Sequence, residues 1–348
     1  MRKDFLGHTN IEMSRLCLGT MTFGNQTPEN EAHSQLDCAF GNGINFIDTA
    51  EMYPVNPVSE ETIGLTERII GAYNRQNKSR RKEYILATKH SGEGLKHVRS
   101  GESISAKTIP SAIEGSLRRL QTDYIDLYQF HWPNRGSYMF RKNWDYKPSN
   151  HNKLDIIDNM NECLECLKRQ VDKGNILEFG LSNETAWGAA QWLQIAETQD
   201  LPRVATIQNE YSLLCRLYDT DLAELSAYEN IGLMAYSPLG AGLLTGKYQN
   251  GQVPAGSRMV LSPDLGGRST RKTFSAVEAY KEVADKHGLD LAQMSVAWCL
   301  TRSFVCSAII GATRLWQLEH IIRSADVRLT TECLDDIANV YKQYPMPY

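Results

Sequence analysis

Eight short runs rich in β-branched and aliphatic residues recur along the chain, with amphipathic stretches between them: SRLCLGT, INFIDTA, YILATKH, YIDLYQFHW, ILEFGLSN, VATIQNEY, GLMAYSPLG and SAIIGAT. Strands alternating with helical patterns at this spacing read as βα units and hence as a parallel sheet. Parallel strands are buried on both faces, so they run almost continuously apolar and collect polar residues at their ends. Here the polar residues collect at the C-terminal ends: Asp48, Lys89, His131, Ser182 with Asn183, Gln208, and Tyr236 with Ser237. Eight such runs suffice to close a barrel, and closure would bring those residues onto one rim, where barrels of this kind build their sites.

The intervening stretches include ENEAHSQLDCAFGN, TIPSAIEGSLRRLQ, IDNMNECLECLKRQVDKG, TAWGAAQWLQIAETQ, DLAELSAYEN and LWQLEHIIRSAD, several of them opened by an N-cap residue. An open doubly wound sheet would carry GxGxxG after its first strand. This chain has Leu18-Gly19-Thr20-Met21 there, and its Gly92-Glu93-Gly94 lacks the third glycine. The expected fold is therefore α/β, a single (β/α)8 TIM barrel with long rim loops, and 348 residues can form it as one domain spanning 1–348. Residues 134–153 and 249–272 are too long for ordinary βα turns and read as lids over the rim, and the tail from Thr330 decorates the barrel.

With 42 % hydrophobic and 22 % charged residues the chain can bury a large core. A formal net charge of -4 offers no basic field for nucleic acid. No apolar run is long enough for a signal peptide or a membrane span, which predicts a cytoplasmic protein. The eight cysteines follow no disulfide spacing. Cys163 and Cys166 form a CxxC inside a helical pattern, without the second ligand pair a zinc site needs, so no metal is expected.

Three successive strand ends deliver an acid, an amine and an imidazole: Asp48 in FIDTAEMY, Lys89 in ILATKH and His131 in DLYQFHWP, with Tyr53 in the loop five residues after Asp48. Each alone would pass for a cap or surface residue. Together they are hard to assign to packing, because a buried charge costs several kcal/mol unless it is paired. The set suits proton donation to a carbonyl: Tyr53 as acid, its pKa lowered by the Lys89 ammonium, Asp48 holding the lysine charged, and His131 donating a hydrogen bond to the substrate oxygen.

The segments GTMTFG, GINFIDTAEMY, ATKH, DLYQFHWP, GLSN, TIQNEYS, YSPLGAGLLTGKY and IIGAT, in this order across residues 16–326, resemble the aldo-keto reductase family. AEMYPV and GLTE resemble its bacterial Tas-like branch. The resemblance implies NADPH bound over the barrel mouth without a Rossmann domain, and a catalytic tetrad of Asp48, Tyr53, Lys89 and His131. It implies that Ser182, Asn183 and Gln208 hold the nicotinamide carboxamide and that the Tyr236 ring stacks on the nicotinamide. Thr20 and Met21 would flank the reactive end, and Ser237, Leu239, Gly242, Lys247 and Arg258 would line the pyrophosphate path. Gly311, Thr313 and Gln317 would grip the adenosine 2'-phosphate, with Arg314 and free backbone N–H groups at a helix start beside them. The family's Glu-Asn near the adenine is replaced here by His320-Ile321. Phe23 and Trp132 would shape the substrate mouth.

These readings predict an NADP-dependent reductase of small-molecule aldehydes or ketones, with a homo-oligomer compatible with them. Two alternatives stay open. One is a cofactor-binding redox sensor that regulates a partner, with slow turnover; the other is a barrel hydrolase or lyase, which would require a second acidic ligand at a strand end.

Overall fold

The computed structural model describes the backbone of residues 1–348 and every side chain except that of Ser149. The chain opens with an antiparallel hairpin, β1 (Lys3–Phe5) and β2 (Glu12–Ser14). Eight parallel strands follow: β3 (Leu16–Gly19), β4 (Phe46–Asp48), β5 (Ile85–His90), β6 (Ile125–Phe130), β7 (Ile176–Ser182), β8 (Val204–Glu210), β9 (Gly232–Tyr236) and β10 (Val305–Ile310). Each pairs with its neighbours in sequence, and β10 pairs with both β9 and β3, closing the barrel. All eight expected runs are barrel strands.

The helices are α1 (Glu29–Gly41), α2 (Leu65–Gln76), α3 (Ile109–Leu120), α4 (Lys153–Asp172), α5 (Ala186–Gln199), α6 (Asp221–Glu229), α7 (Arg258–Leu261), α8 (Arg271–Lys286), α9 (Leu291–Thr301), α10 (Leu315–Ile322) and α11 (Thr331–Gln343). Five of them, α2, α7, α8, α9 and α11, were not singled out from the sequence. The reason is clearest for α9: LAQMSVAWCLT is apolar all round because it packs within the helical layer, so it carries no polar stripe for periodicity to detect. Several helices start where a side-chain oxygen caps them, as Thr185 does for α5 and Thr330 for α11.

The barrel interior is filled by Cys17, Phe46, Ile85, Ala87, Leu127, Ala205, Met234, Cys306 and Ile309. Leu6 and Met13 of the hairpin join this cluster. The hairpin thus packs against the barrel interior. The approach is tight: at Gly7, whose φ is +56°, a Cβ would lie 2.1 Å from the Ala205 carbonyl oxygen. Outward-facing residues such as Leu18, Ile47, Leu86, Phe130, Phe179 and Leu181 pack beneath the helices. Cys163 and Cys166 sit in that layer, their thiols turned toward the Ile104 and Ala106 carbonyls at 3.9 and 3.6 Å, so the CxxC is helix packing.

Residues 134–153 and 249–272 do lie at the rim, and one residue anchors both. Arg141 of the first and Arg268 of the second donate to the Glu210 carboxylate at 2.9 and 2.7 Å. The Tyr348 hydroxyl donates to the same carboxylate at 3.0 Å, which draws the C-terminal tail into this clasp.

Candidate active site

Strands β4, β5 and β6 are hydrogen-bonded neighbours, so side chains at their C-terminal ends meet. Lys89 is fully buried. Its ammonium donates to Asp48 Oδ2 at 2.7 Å, to the Thr49 carbonyl at 2.7 Å and to Tyr53 Oη at 3.5 Å. The other Asp48 oxygen accepts from Gln208 Nε2 at 2.8 Å and Gln129 Nε2 at 3.3 Å. Donors from three strands thus converge on one carboxylate. The His131 ring stands edge-on to Tyr53, centroids 5.7 Å apart. The four residues expected to act together are brought together.

Their protonation follows from burial and charge. Burial works against the Lys89 ammonium, but Asp48 and Tyr53 outweigh it and hold the lysine above its ordinary value. Burial pushes the Tyr53 phenol up, and the Lys89 ammonium offsets only part of that rise. This reverses the expected lowering of Tyr53: the loop that brings the phenol to Lys89 also removes it from water. Burial and the neighbouring Lys89 charge drive His131 well below the usual imidazole range. At neutral pH the site therefore holds a protonated phenol and a neutral imidazole, the first able to give up a proton and the second able to donate one N–H.

Further round the rim the expected carboxamide-binding residues form a connected lattice. The Ser182 hydroxyl donates to the Gln208 carbonyl at 2.8 Å, Asn183 Nδ2 donates to the His131 carbonyl at 2.8 Å, and the Tyr236 hydroxyl donates to Asn183 Oδ1 at 2.7 Å. Four strand ends are locked together. Because Gln208 Nε2 is committed to Asp48, its side-chain Oε1 is the atom left for an incoming amide. Thr20 donates twice to the Asp48 carbonyl, through its N–H at 3.1 Å and its hydroxyl at 2.8 Å. Met21 packs with Ala50, Met52 and Tyr53. On the far side Ser237 and Gly242 hold positive φ, and a Cβ at Gly242 would lie 3.3 Å from Lys247 Nζ, so the glycine admits that ammonium over the turn beside Leu239.

The family model for the aldo/keto reductase family matches residues 15–342. The chain belongs to the aldo/keto reductase family. It is 44 % identical to Protein tas of Escherichia coli (strain K12), over all of this chain and 99 % of that protein, which places it in a Tas-like branch. It is 32 % identical to the uncharacterized oxidoreductase YrpG of Bacillus subtilis (strain 168), over 98 % of this chain and 96 % of that protein. It is also 32 % identical to a probable voltage-gated potassium channel subunit beta of Arabidopsis thaliana, over 99 % of this chain and 98 % of that protein.

Membership makes this chain an oxidoreductase of a family that works with nicotinamide dinucleotides. The mouth of this aldo/keto reductase fits such an anion on its own evidence. Arg258, which begins α7, is largely buried, and its contacts are to the Met21 sulfur and the Asn56 amide, with no carboxylate partner among the described residues. Burial and the nearby Arg268 press its pKa down to about 10. Arg141 and Arg268 share the single carboxylate of Glu210. Three guanidinium groups against one carboxylate leave the mouth rich in positive charge, suited to a pyrophosphate.

At the adenosine end the structure revises the expectation. The helix begins where expected, with Arg314 just before α10. Its first N–H groups, however, are already used: those of Thr313 and Arg314 donate to Gln317 Oε1 at 3.0 and 3.3 Å, and that of Leu315 donates to the Glu31 carboxylate of α1. Gln317 Oε1 serves the loop after Gly311, so the backbone N–H groups there are committed, and the donors left to meet a phosphate are Gln317 Nε2 and the exposed Arg314 side chain. His320 pairs with Asp290 at 3.2 Å.

Phe23 is also corrected. It is fully buried beneath the helices, because the turn after Thr20 closes by the Phe23 N–H on the Thr20 carbonyl and Thr66 holds the Phe23 carbonyl at 2.7 Å, so it lines no mouth. Trp132 does stand beside the site, its ring 5.0 Å from that of His131 and its Nε1 donating to the Glu93 carbonyl at 3.1 Å. A Cβ at Gly92 would lie 2.3 Å from this indole, so the loop after β5 requires glycine there. Sequence reasoning missed Gln129, which supports Asp48, and Glu210, which anchors the rim. Both lie in runs already read as strands, and a polar residue within an apolar strand was the available signal.

Proposed function

We propose that this aldo/keto reductase reduces small-molecule aldehydes or ketones to alcohols with NADPH, and that it does so in the cytoplasm as one barrel domain spanning 1–348. The observation that carries the reading is the Lys89 ammonium bound at once to Asp48 and Tyr53 at the mouth of the barrel. NADPH, when bound, supplies the hydride to the carbonyl carbon. The Tyr53 hydroxyl gives its proton to the carbonyl oxygen as negative charge develops there. Lys89 stabilises the phenolate left behind, Asp48 keeps Lys89 charged, and a His131 N–H orients the oxygen. Ser182, Asn183 and Gln208 are assigned to the nicotinamide carboxamide and Tyr236 to its ring face. Thr20 and Met21 flank the reactive end, and Ser237, Leu239, Gly242, Lys247 and Arg258 lie on the pyrophosphate path. Arg314 is assigned to the 2'-phosphate, and Trp132 to the substrate wall.

Titration with NADPH and with NADH, followed by cofactor fluorescence and then by addition of a reactive aldehyde, tests this. Tight NADPH binding with subsequent oxidation supports the reductase, and failure to bind either nucleotide overturns it. A second reading, a cofactor-holding redox sensor with slow turnover, is favoured by the similarity to potassium channel β subunits. Tight binding without oxidation across a panel of carbonyl compounds would select it.

A further inference from the structure

Between Asp48 and Tyr53 lies a second acid, Glu51, whose carboxylate faces away from Lys89. Its Oε1 accepts from the Ser91 N–H at 2.6 Å and from Arg99 Nη2 at 2.7 Å, and its Oε2 accepts from Arg99 Nη1 at 2.5 Å. Ser91 is two residues past Lys89 and Glu51 is two before Tyr53, so this cluster ties the loop bearing the phenol to the strand end bearing the ammonium. Both members are largely withdrawn from water, their side chains 5 % and 17 % exposed. Arg99 also reaches His90 Nδ1 at 3.1 Å and the Ser91 carbonyl at 3.3 Å. Its own backbone is strained: Arg99 and Ser100 hold φ of +45° and +55°, a left-handed pair of non-glycine residues, each costing on the order of 1 kcal/mol or more. Beside it, Val98 packs on Tyr53 and Met52. Within the tetrad the Lys89 to Asp48 contact is short, whereas Lys89 to Tyr53 is 3.5 Å, the contact most dependent on where the loop is held.

We propose that the Glu51–Arg99 pair is a positioning device for the proposed reduction, holding Tyr53 against Lys89 without touching substrate or cofactor. Buried ion pairs are no stronger than well-packed apolar residues, but a bidentate pair fixes geometry in a way that apolar contacts do not. The pair faces Ser91, His90, Tyr128 and Glu102, and burial presses His90 down to about 4, so Arg99 is the cation that balances Glu51 at neutral pH.

The inference rests on the reductase reading, and two measurements separate their failures. In steady state, Glu51→Gln and Arg99→Met should lower kcat by about 10- to 100-fold, while the KM for the carbonyl and the Kd for NADPH stay within about threefold. Arg99→Lys should restore only part of the loss, because a point charge cannot reproduce the fork. If either single variant fails to fold, the double variant Glu51→Gln/Arg99→Met, which leaves no unpaired charge, takes its place. Independently of turnover, the Tyr53 ring can be titrated by 13C-tyrosine NMR in the cofactor-free protein, with Tyr53→Phe giving the assignment. Lys89→Met should move that titration in the wild type and move it less than half as far in the Glu51→Gln background. A wild type that reduces no carbonyl sinks the reductase reading, yet the NMR cycle still decides this one. An undiminished Lys89 effect in Glu51→Gln, or a loss of kcat matched by weaker NADPH binding, overturns the positioning role.

Discussion

Two buried carboxylates at opposite sides of the rim, Asp48 and Glu210, are each clamped by cations from elsewhere in the chain. Asp48 takes Lys89 and two amides; Glu210 takes Arg268, Arg141 and the Tyr348 hydroxyl. At Glu210 burial opposes the anion, but the Arg268 and Arg141 charges outweigh it and hold the carboxyl below its ordinary value. What separates the two is what the phenol beside each carboxylate meets. Tyr53 lies against the Lys89 ammonium, whereas the Tyr348 hydroxyl donates to the Glu210 carboxylate itself and the two arginines join long rim segments to the barrel. Burying and pairing charge at a strand end therefore does not by itself mark chemistry. The proposed reduction needs in addition a phenol held against the cation, which Asp48's cluster has and Glu210's lacks.

The largest effect that would break this contrast is at Tyr53. Tyr53→Phe should lower carbonyl reduction by about 1000-fold or more and leave NADPH affinity nearly unchanged, as steady-state rates and fluorescence titration would show. Lys89→Met should cost about 100-fold in rate; because the ammonium lowers the phenol's pKa, its loss should also move the alkaline limb of the rate profile to higher pH. Glu210→Ala should do the opposite kind of damage. Stranding Arg268 and Arg141 should cost about 3–5 kcal/mol of stability in denaturant unfolding, with the rate of the folded enzyme far less affected than in Tyr53→Phe.

A pH effect comes next. His90 is held near 4 by burial in the folded state, while the unfolded imidazole titrates at about 6.5. The unfolded chain therefore binds more protons in between, and stability should fall as pH drops from about 6.5 to 4, by about 3 kcal/mol from this residue. His90→Gln should flatten that slope. The smallest effect is at the cationic mouth: Arg258→Ala should weaken NADPH binding by about tenfold, and an unchanged Kd would remove Arg258 from the pyrophosphate path.

The barrel was legible in the sequence because strand, helix and turn preferences are local, and the rhythm of eight apolar runs leaves few other ways to bury them. The tetrad was legible for the same reason. Asp48, Lys89 and His131 end their strands, and strand ends share a rim once the sheet closes. Phe23 was misplaced because an aromatic near a strand end reads the same whether its ring turns to the mouth or under the helices, and only the Thr66 contact 43 residues away settles the choice.

Sequence alone thus determined the fold class, the rim and the chemical types gathered there, since those depend on periodicity and residue identity. Tertiary structure decided which groups are free and what they weigh. Glu51 meets Arg99 across 48 residues, Glu210 meets Arg268 across 58, and Glu31 takes the Leu315 N–H across 284. The direction of the Tyr53 shift likewise depends on how far the folded loop excludes water, a property of the whole packed mouth and of no segment by itself.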